Sequence, residues 1–264
     1  MSAWRVDPVG PDRFRGHGAD GAANRVFGGQ VAAQALAAAG ADLPDQAPAS
    51  AHARFVREGR SADPIDYTVE RHSAGFCRVI AAQRGRTILT LDAVFRPAAP
   101  VSPAAPAGPQ PLTGWTPSTE EEAAWLDGLA KRMPFEFRFE ARPTLLAGRR
   151  GDIVDGQRFW LRTAERLPDH PAAHACAVTY ISDLLMVSTA LARHGLAGTS
   201  PGVQSASLDH AVWFHGAFRA DEWVRYDQTS PTAADGRALC EGRMTNAAGE
   251  LIATVRQEIL TRVP

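Results

Sequence analysis

The sequence predicts an α+β chain in which one design is used twice, each version a helix followed by several antiparallel strands. Three observations lead there. A proline-rich stretch interrupts the 264 residues before their midpoint. Tyr67 and Arg78 recur as Tyr226 and Arg237, each 159 positions later, and Gly85 and Ile88 recur as Gly249 and Ile252, each 164 positions later. Such a fixed spacing is the mark of an internal duplication. In each half a helical run precedes segments that alternate apolar and polar residues.

The elements follow in order. A strand is expected within 4–15. The alanine-rich run 29–41 is a helix, ended by Gly40 and Pro44. Strands follow at 51–57, 65–71, 78–84 and 87–96. Pro97, Pro100, Pro103, Pro106, Pro109 and Pro111 then exclude helix and central strand. An extended linker fits them, giving domains at 1–97 and 119–264 joined by 98–118. An extra helix is expected at 120–132, and strands at 135–139 and 158–163. The second-half helix runs over 183–194 and stops at Gly195. Strands complete the chain at 207–214, 223–228, 237–244 and 251–261. The five extra positions of the second half are expected around Thr245-Asn246-Ala247-Ala248-Gly249, which has hairpin-turn composition.

Composition excludes several classes. Hydrophobic residues make up 45% and charged residues 22%, which is the balance of a globular chain and not a disordered one. The formal net charge is −1, without a basic run, so no nucleic-acid partner is expected. Lys131 is the single lysine; the Ala, Arg, Gly and Pro enrichment reads as GC-rich codon usage of a bacterial genome. Cys77, Cys176 and Cys240 are far apart and odd in number, so neither a disulfide framework nor a zinc site is expected. The eight histidines show no metal-ligand spacing. No signal-peptide core stands at the start, and the apolar runs are interrupted short of a membrane span. A cytoplasmic protein with no membrane partner, no metal and no cofactor is the expectation.

Polar residues that break the pattern are the functional clues. In the last strand Leu251, Ala253, Val255, Gln257 and Ile259 share a face, so an amide stands among apolar neighbours. The repeat puts Ala93 at the corresponding place. A buried amide needs partners or costs about 1–3 kcal/mol, so Gln257 is either bonded to nearby backbone or part of a site. Asp183 would open the second-half helix. It reads either as that helix's N-cap or as a carboxylate held among apolar residues to bind or deprotonate water. Thr229-Ser230-Pro231-Thr232 follows the strand bearing Tyr226; its hydroxyls either make a turn or orient a water. Asp209-His210 and His215 are read as structural. No G-x-S-x-G elbow, H-E-x-x-H, Walker loop or dinucleotide fingerprint in its strand–helix context is present. Gly28-Gly29 reads as close packing at a helix start.

Several segments resemble the type II acyl-CoA thioesterase (TesB-like) family. They are Arg25-Val26-Phe27-Gly28-Gly29-Gln30-Val31-Ala32-Ala33-Gln34-Ala35-Leu36, Pro64-Ile65-Asp66-Tyr67-Thr68-Val69-Glu70-Arg71 and Tyr180-Ile181-Ser182-Asp183. The others are Ser207-Leu208-Asp209-His210-Ala211-Val212-Trp213-Phe214-His215, Asp221-Glu222-Trp223, Gly236-Arg237 and Gln257-Glu258. The resemblance covers nearly the whole chain and is weakest in the linker and over 142–156. It implies a double hot dog, two fused domains in each of which an antiparallel sheet wraps a long helix. It also implies hydrolysis of acyl-CoA to fatty acid and CoA by an Asp, a Thr or Ser, and a Gln that hold the attacking water. The Asp falls on Asp183 and the Gln on Gln257. Anchored on Tyr226 and Arg237, the hydroxyl falls on Ser230, with Thr229 and then Thr232 as alternates. Here Thr229 replaces the family's Glu. CoA enters as part of the substrate, with arginines available for its phosphates. Further dimerisation is common in such families, so a homo-oligomer is compatible with the resemblance.

The expected chemistry is direct water attack without an acyl-enzyme. Asp183 takes the proton, Ser230 and Gln257 orient the water, and backbone N–H groups near the helix start polarise the carbonyl. Two rivals are a hot-dog enoyl-CoA hydratase or dehydratase, for which His210 is the candidate, and a non-catalytic acyl-CoA binder.

Overall fold

The computed structural model describes residues 3–18, 24–73, 75–99 and 114–262. Most of the expected linker, 100–113, lies outside the described residues. The first elements are β1 (Asp7–Gly10), β2 (Arg13–Gly16), α1 (Gly28–Gly40), β3 (Gln46–Phe55), β4 (Ile65–Ser73), β5 (Phe76–Gln83) and β6 (Arg86–Pro97). Then come α2 (Glu120–Arg132), β7 (Phe135–Phe139), α3 (Thr144–Arg149), β8 (Gln157–Thr163), α4 (Pro171–Ser182) and α5 (Met186–Ala192). The chain ends with β9 (Gln204–Ser207), β10 (Asp209–Phe214), β11 (Val224–Ala234), β12 (Arg237–Asn246) and β13 (Leu251–Arg262).

These elements form two compact units. Unit 1 holds Met1–Ser102, Leu167–Asp183 and Asp209–Phe218; unit 2 holds Pro103–Arg166, Leu184–Leu208 and Arg219–Pro264. The expectation that all of 119–264 forms one domain therefore differs from the observed grouping. Two elements account for the difference: α4 packs on α1, and β10 pairs with β3, His210 opposite Ala53. Periodicity along a chain carries no information about such long-range pairing.

Unit 1 is an antiparallel sheet in the order β1-β2-β4-β5-β6-β3-β10 with α1 and α4 as its helices. The residues explain the closeness of α1 to α4. Ala32, Ala33, Ala35, Ala38 and Ala39 are buried along α1, so little side-chain bulk separates the backbones. At Gly29 the approach is so close that an added Cβ would lie 2.1 Å from the carbonyl oxygen of Tyr180. The Gly28-Gly29 pair thus serves close packing at a helix start, as the sequence suggests.

Unit 2 is an antiparallel sheet in the order β13-β12-β11-β8-β7, with β9 added on the far side of β13. Helix α5 packs on α3 and on β11, β12 and β13. Helix α2 starts at a Thr119 cap, whose hydroxyl accepts the Glu122 N–H, and packs on β7.

The duplication is visible in register. Tyr67 on β4 and Tyr226 on β11 are both fully buried, and Cys77 faces Ala93 as Cys240 faces Gln257. The extra residues lie elsewhere than expected. Tyr67 pairs with Ala81, 14 positions on, whereas Tyr226 pairs with Met244, 18 positions on. Most of the insertion therefore sits in the β11–β12 hairpin, which carries a bulge between Thr229 and Thr232. The repeat of Arg78 as Arg237 is out of structural register: Arg78 lies beside Cys77, while Arg237 opens β12 beyond the longer hairpin. The turn that closes this hairpin is Asp235-Gly236, both with positive φ, a strong hairpin signal.

Three further elements differ from expectation. The segment 4–15 is a hairpin, β1 and β2, turned at Asp12, whose φ is +51°. The strand expected over 207–214 is split at Leu208 into β9 and β10. Within the helix expected over 183–194 only α5 forms, and it is preceded by α4, a helix the sequence reading does not contain; Asp183 ends α4 instead of opening α5. Pro171–Ala192 is apolar and long enough by composition to cross a membrane, but 83% of its most apolar 18-residue window is buried in the folded chain, as in core helices. A helix buried all round shows no 3.6-residue stripe, so its start and its break are hard to read.

Replacing Gly29 with alanine is expected to destabilise the protein by about 1–3 kcal/mol, because backbone must move to admit the methyl group. In the control Gly128→Ala, the new methyl meets only the flexible end of Arg132. That control should stabilise α2 by about 0.5–1 kcal/mol. Urea midpoints of the two variants check both signs.

Candidate active site

Asp183 is the C-cap of α4, with φ −78° and ψ −15°, and is 8% exposed. Its Oδ2 accepts the Gly29 N–H at 2.9 Å. That amide belongs to the first turn of α1, whose own N-cap residue, Phe27, supplies no side-chain acceptor. Asp183 is thus a helix cap, but of α1 and in trans. A carboxylate is favourable there, since it satisfies an orphan N–H and meets the positive end of the helix dipole. The first-turn amides of α1 are engaged as well. Gly29, Gln30 and Val31 already donate, to Asp183 Oδ2 and to the Phe27 carbonyl. Gly28 is fitted to this contact: a Cβ there would lie 2.8 Å from Asp183 Oδ2.

Gln257 lies on the buried face of β13 with no exposure, where the alternation puts it. Its Nε2 donates to Ser207 Oγ at 2.7 Å. Ser207 ends β9, opposite Ile259 of β13, and is half-buried. A buried amide is therefore joined to the hydroxyl of a half-buried serine.

The hydroxyl of Ser230 is engaged by backbone. Ser230 is fully buried in β11 at the bulge, and its hydroxyl donates to the Leu239 carbonyl at 3.0 Å. Its own carbonyl accepts from Arg193. Thr229 and Thr232 are exposed on the same strand. The anchoring on Tyr226 and Arg237 that places the hydroxyl at Ser230 does not hold in the structure. The reason is the hairpin insertion, which takes Arg237 out of register and moves any hydroxyl anchored on it. Ser207 was missed because it breaks no pattern: a serine at the end of a short strand looks like any strand terminus. The motif Ser207-Leu208-Asp209-His210 was the only signal in the sequence that contained it.

A second buried amide was also missed. Gln228 of β11 is 1% exposed. Its Nε2 donates to the Leu184 carbonyl at 2.8 Å, and its Oε1 accepts from Gln157 Nε2 at 2.7 Å and lies 3.0 Å from Thr189 Oγ1. Thr189 Oγ1 also lies 3.0 Å from the Leu185 carbonyl. Leu185 has φ +65°, a left-handed conformation unusual for leucine. At the helix break the Leu184 carbonyl is satisfied by the Gln228 amide, while the Leu185 carbonyl accepts the Thr189 N–H at 2.8 Å as the first bond of α5.

Among the described residues no group of His, Cys, Asp and Glu could hold a metal ion. Asp209 pairs with Arg54 at 3.1 Å. His210 is buried, its Nε2 2.7 Å from Ser182 Oγ. The three cysteines are free and buried. Burial pushes the thiols of Cys176 and Cys240 up to about 12 and raises that of Cys77, so none is a ready nucleophile.

Comparison with known proteins gives one answer. A sequence-family model described as Acyl-CoA thioesterase matches residues 129–260, and one described as Acyl-CoA thioesterase N-terminal domain matches residues 18–96. The chain is 32% identical over 265 residues to Acyl-CoA thioesterase 2 of Haemophilus influenzae, covering 94% of this chain and 92% of that one. It is 33% identical over 280 residues to Acyl-coenzyme A thioesterase 8 of Homo sapiens, covering 98% and 87%. A solved structure titled Acyl-CoA thioesterase II TesB2 from Mycobacterium marinum superposes with a TM-score of 0.74 at 37% identity, covering 99% and 96%. A hot-dog protein of Alicyclobacillus acidocaldarius, at 17% identity and a TM-score of 0.71 over 99% and 97% of the two chains, shares the fold.

Gln228→Leu should cost about 1–3 kcal/mol of stability, because the Leu184 carbonyl and the Gln157 amide lose a partner inside the protein. Denaturant unfolding of the variant reads this directly. The native protein should give no rapid reaction with an aromatic disulfide reagent, and three thiols after unfolding, counted from absorbance.

Proposed function

This chain belongs to the acyl-CoA thioesterase family and has its double hot-dog fold, and from that premise we propose how it hydrolyses acyl-CoA to fatty acid and CoA. The proposed route is direct attack of water on the thioester carbonyl, with Asp183, Ser207 and Gln257 as the catalytic residues. The observation that carries the revised set is the 2.7 Å bond from Gln257 Nε2 to Ser207 Oγ. The amide fixes the orientation of the hydroxyl oxygen, and the hydroxyl in turn orients the water. Asp183 takes the water proton as its oxygen bonds to the acyl carbon. The carbon–sulfur bond then breaks, and the proton passes to the departing CoA sulfur.

A thioester carbonyl is already electrophilic and a thiolate leaves readily, so positioning carries more of the catalysis than nucleophile strength. The Asp183 Oδ2 bond to Gly29 supports the base role by fixing the carboxylate. Three unpaired buried thiols fit a reducing compartment, which supports a cytoplasmic place. The product acid places the enzyme in fatty-acid metabolism, and the composition fits a bacterial source.

Free-thiol release from short, medium and long acyl-CoA substrates tests the roles. Asp183→Asn should lower kcat by about 10²–10⁴, the range of a lost general base. Gln257→Ala should lower it about tenfold, the loss of the hydrogen bond that orients Ser207. Ser207→Ala should lose about tenfold, the equivalent of one hydrogen bond. Ser230→Ala should leave turnover unchanged. A loss in Ser230→Ala with none in Ser207→Ala would return the hydroxyl role to β11. Tight acyl-CoA binding without turnover would identify a binder, and hydration of a crotonyl-type CoA a hydratase.

A further inference from the structure

Two buried residues of unit 1 are left outside that reaction, Ser182 and His210. Ser182 is the last residue of α4 and has no exposure; His210 is 2% exposed on β10. Ser182 Oγ lies 3.0 Å from the Thr179 carbonyl and 2.7 Å from His210 Nε2. A hydroxyl has one proton to give. Donation back to Thr179, one helical turn earlier, leaves the oxygen as an acceptor, so the proton between Ser182 and His210 belongs to Nε2. The opposite tautomer would set one hydroxyl proton between two acceptors in a buried place. His210 itself is fixed by strand pairing, opposite Ala53 of β3.

The next residue after Ser182 is Asp183. The last turn of α4 is thus held at two adjacent side chains: Ser182 by His210 on the sheet, and Asp183 by the first turn of α1. With Oδ2 committed to Gly29, the direction of Oδ1 follows from the rotation of that last turn. Removing the His210 contact takes away one of the restraints on the orientation of that turn. Misplacement of a reacting group by about 1 Å can cost about a hundredfold in rate.

We propose that His210 is a positioning residue for the hydrolysis, whose Nε2–H, through Ser182 Oγ, sets the aim of the Asp183 carboxylate. It does not exchange a proton with substrate. This rests on the reading of Asp183 as the base, and it explains an Asp-His sequence that otherwise invites an acid–base role.

The test is steady-state thiol release by the full chain carrying His210→Leu, His210→Gln, Ser182→Ala, the pair Ser182→Ala with His210→Leu, and Asp183→Asn. His210→Leu and Ser182→Ala should each lower kcat about ten- to a hundredfold while KM stays within about twofold. His210→Gln, which keeps an N–H donor, should recover most of the loss. The double variant should be no slower than the worse single, since both cut the same link. Should His210→Leu fail to fold, Ser182→Ala and His210→Gln carry the same comparison. Unchanged kcat in Ser182→Ala and His210→Leu beside an inactive Asp183→Asn overturns this inference alone. Losses that multiply in the double variant, or His210→Gln as poor as His210→Leu, also overturn it. Full activity in Asp183→Asn overturns the base assignment and this inference with it.

Discussion

The hydrogen bond from the Gly29 amide to Asp183 Oδ2, 2.9 Å long, is the constraint on which the arrangement of unit 1 depends. It joins the end of one buried helix to the start of another. Each side needs the other. Helix α1 begins at Phe27, which cannot cap it, and has no acidic residue in its first turn. Asp183 is nearly buried and needs a donor. The bond forms only because α1 opens with two glycines. A methyl group at Gly29 would strike the Tyr180 carbonyl, and one at Gly28 would strike the carboxylate itself. In the proposed mechanism the same carboxylate is the base, so one contact serves both packing and the orientation that mechanism requires.

Buried amides play a comparable part in unit 2. Gln257 and Gln228 stand in strands whose other inward residues are mostly apolar, and each has specific partners. Gln228 serves structure: held by Gln157 and Thr189, it satisfies the Leu184 carbonyl just before the chain turns left-handed at Leu185. Gln257 holds the hydroxyl of a half-buried serine. Both would be costly if unpaired, by about 1–3 kcal/mol each. What separates the two roles is that, in the proposed mechanism, the partner of Gln257 orients a water.

Much of this was legible in the sequence. The duplication, the α1 helix and the buried face of β13 all follow from local signals: a repeated spacing, alanine content with a glycine stop, and period-two alternation. Asp183 and Gln257 stood out because they interrupt apolar patterns. Local signals failed where long-range pairing decides. The exchange of α4 and β10 into unit 1 rests on contacts with α1 and β3, which no window of sequence contains. Asp183 was expected to cap the helix that follows it; it ends the helix before it and caps α1, because a fully buried helix hides its own boundary. Ser230 was expected to supply the hydroxyl, but the insertion in the β11–β12 hairpin shifted the anchor residues, and its hydroxyl is bonded to Leu239. Ser207 lies in a four-residue strand, too short to show a pattern that it could break.

The central claim is that Asp183 works through a water and never bonds to the acyl group. A single turnover with enzyme in excess, run in water labelled with heavy oxygen, tests it most directly. The fatty acid and the peptide containing Asp183 are then weighed by mass spectrometry. The account predicts one labelled oxygen in the fatty acid and none in the peptide. Label in the Asp183 carboxylate, or an acyl group found on the chain, would contradict it.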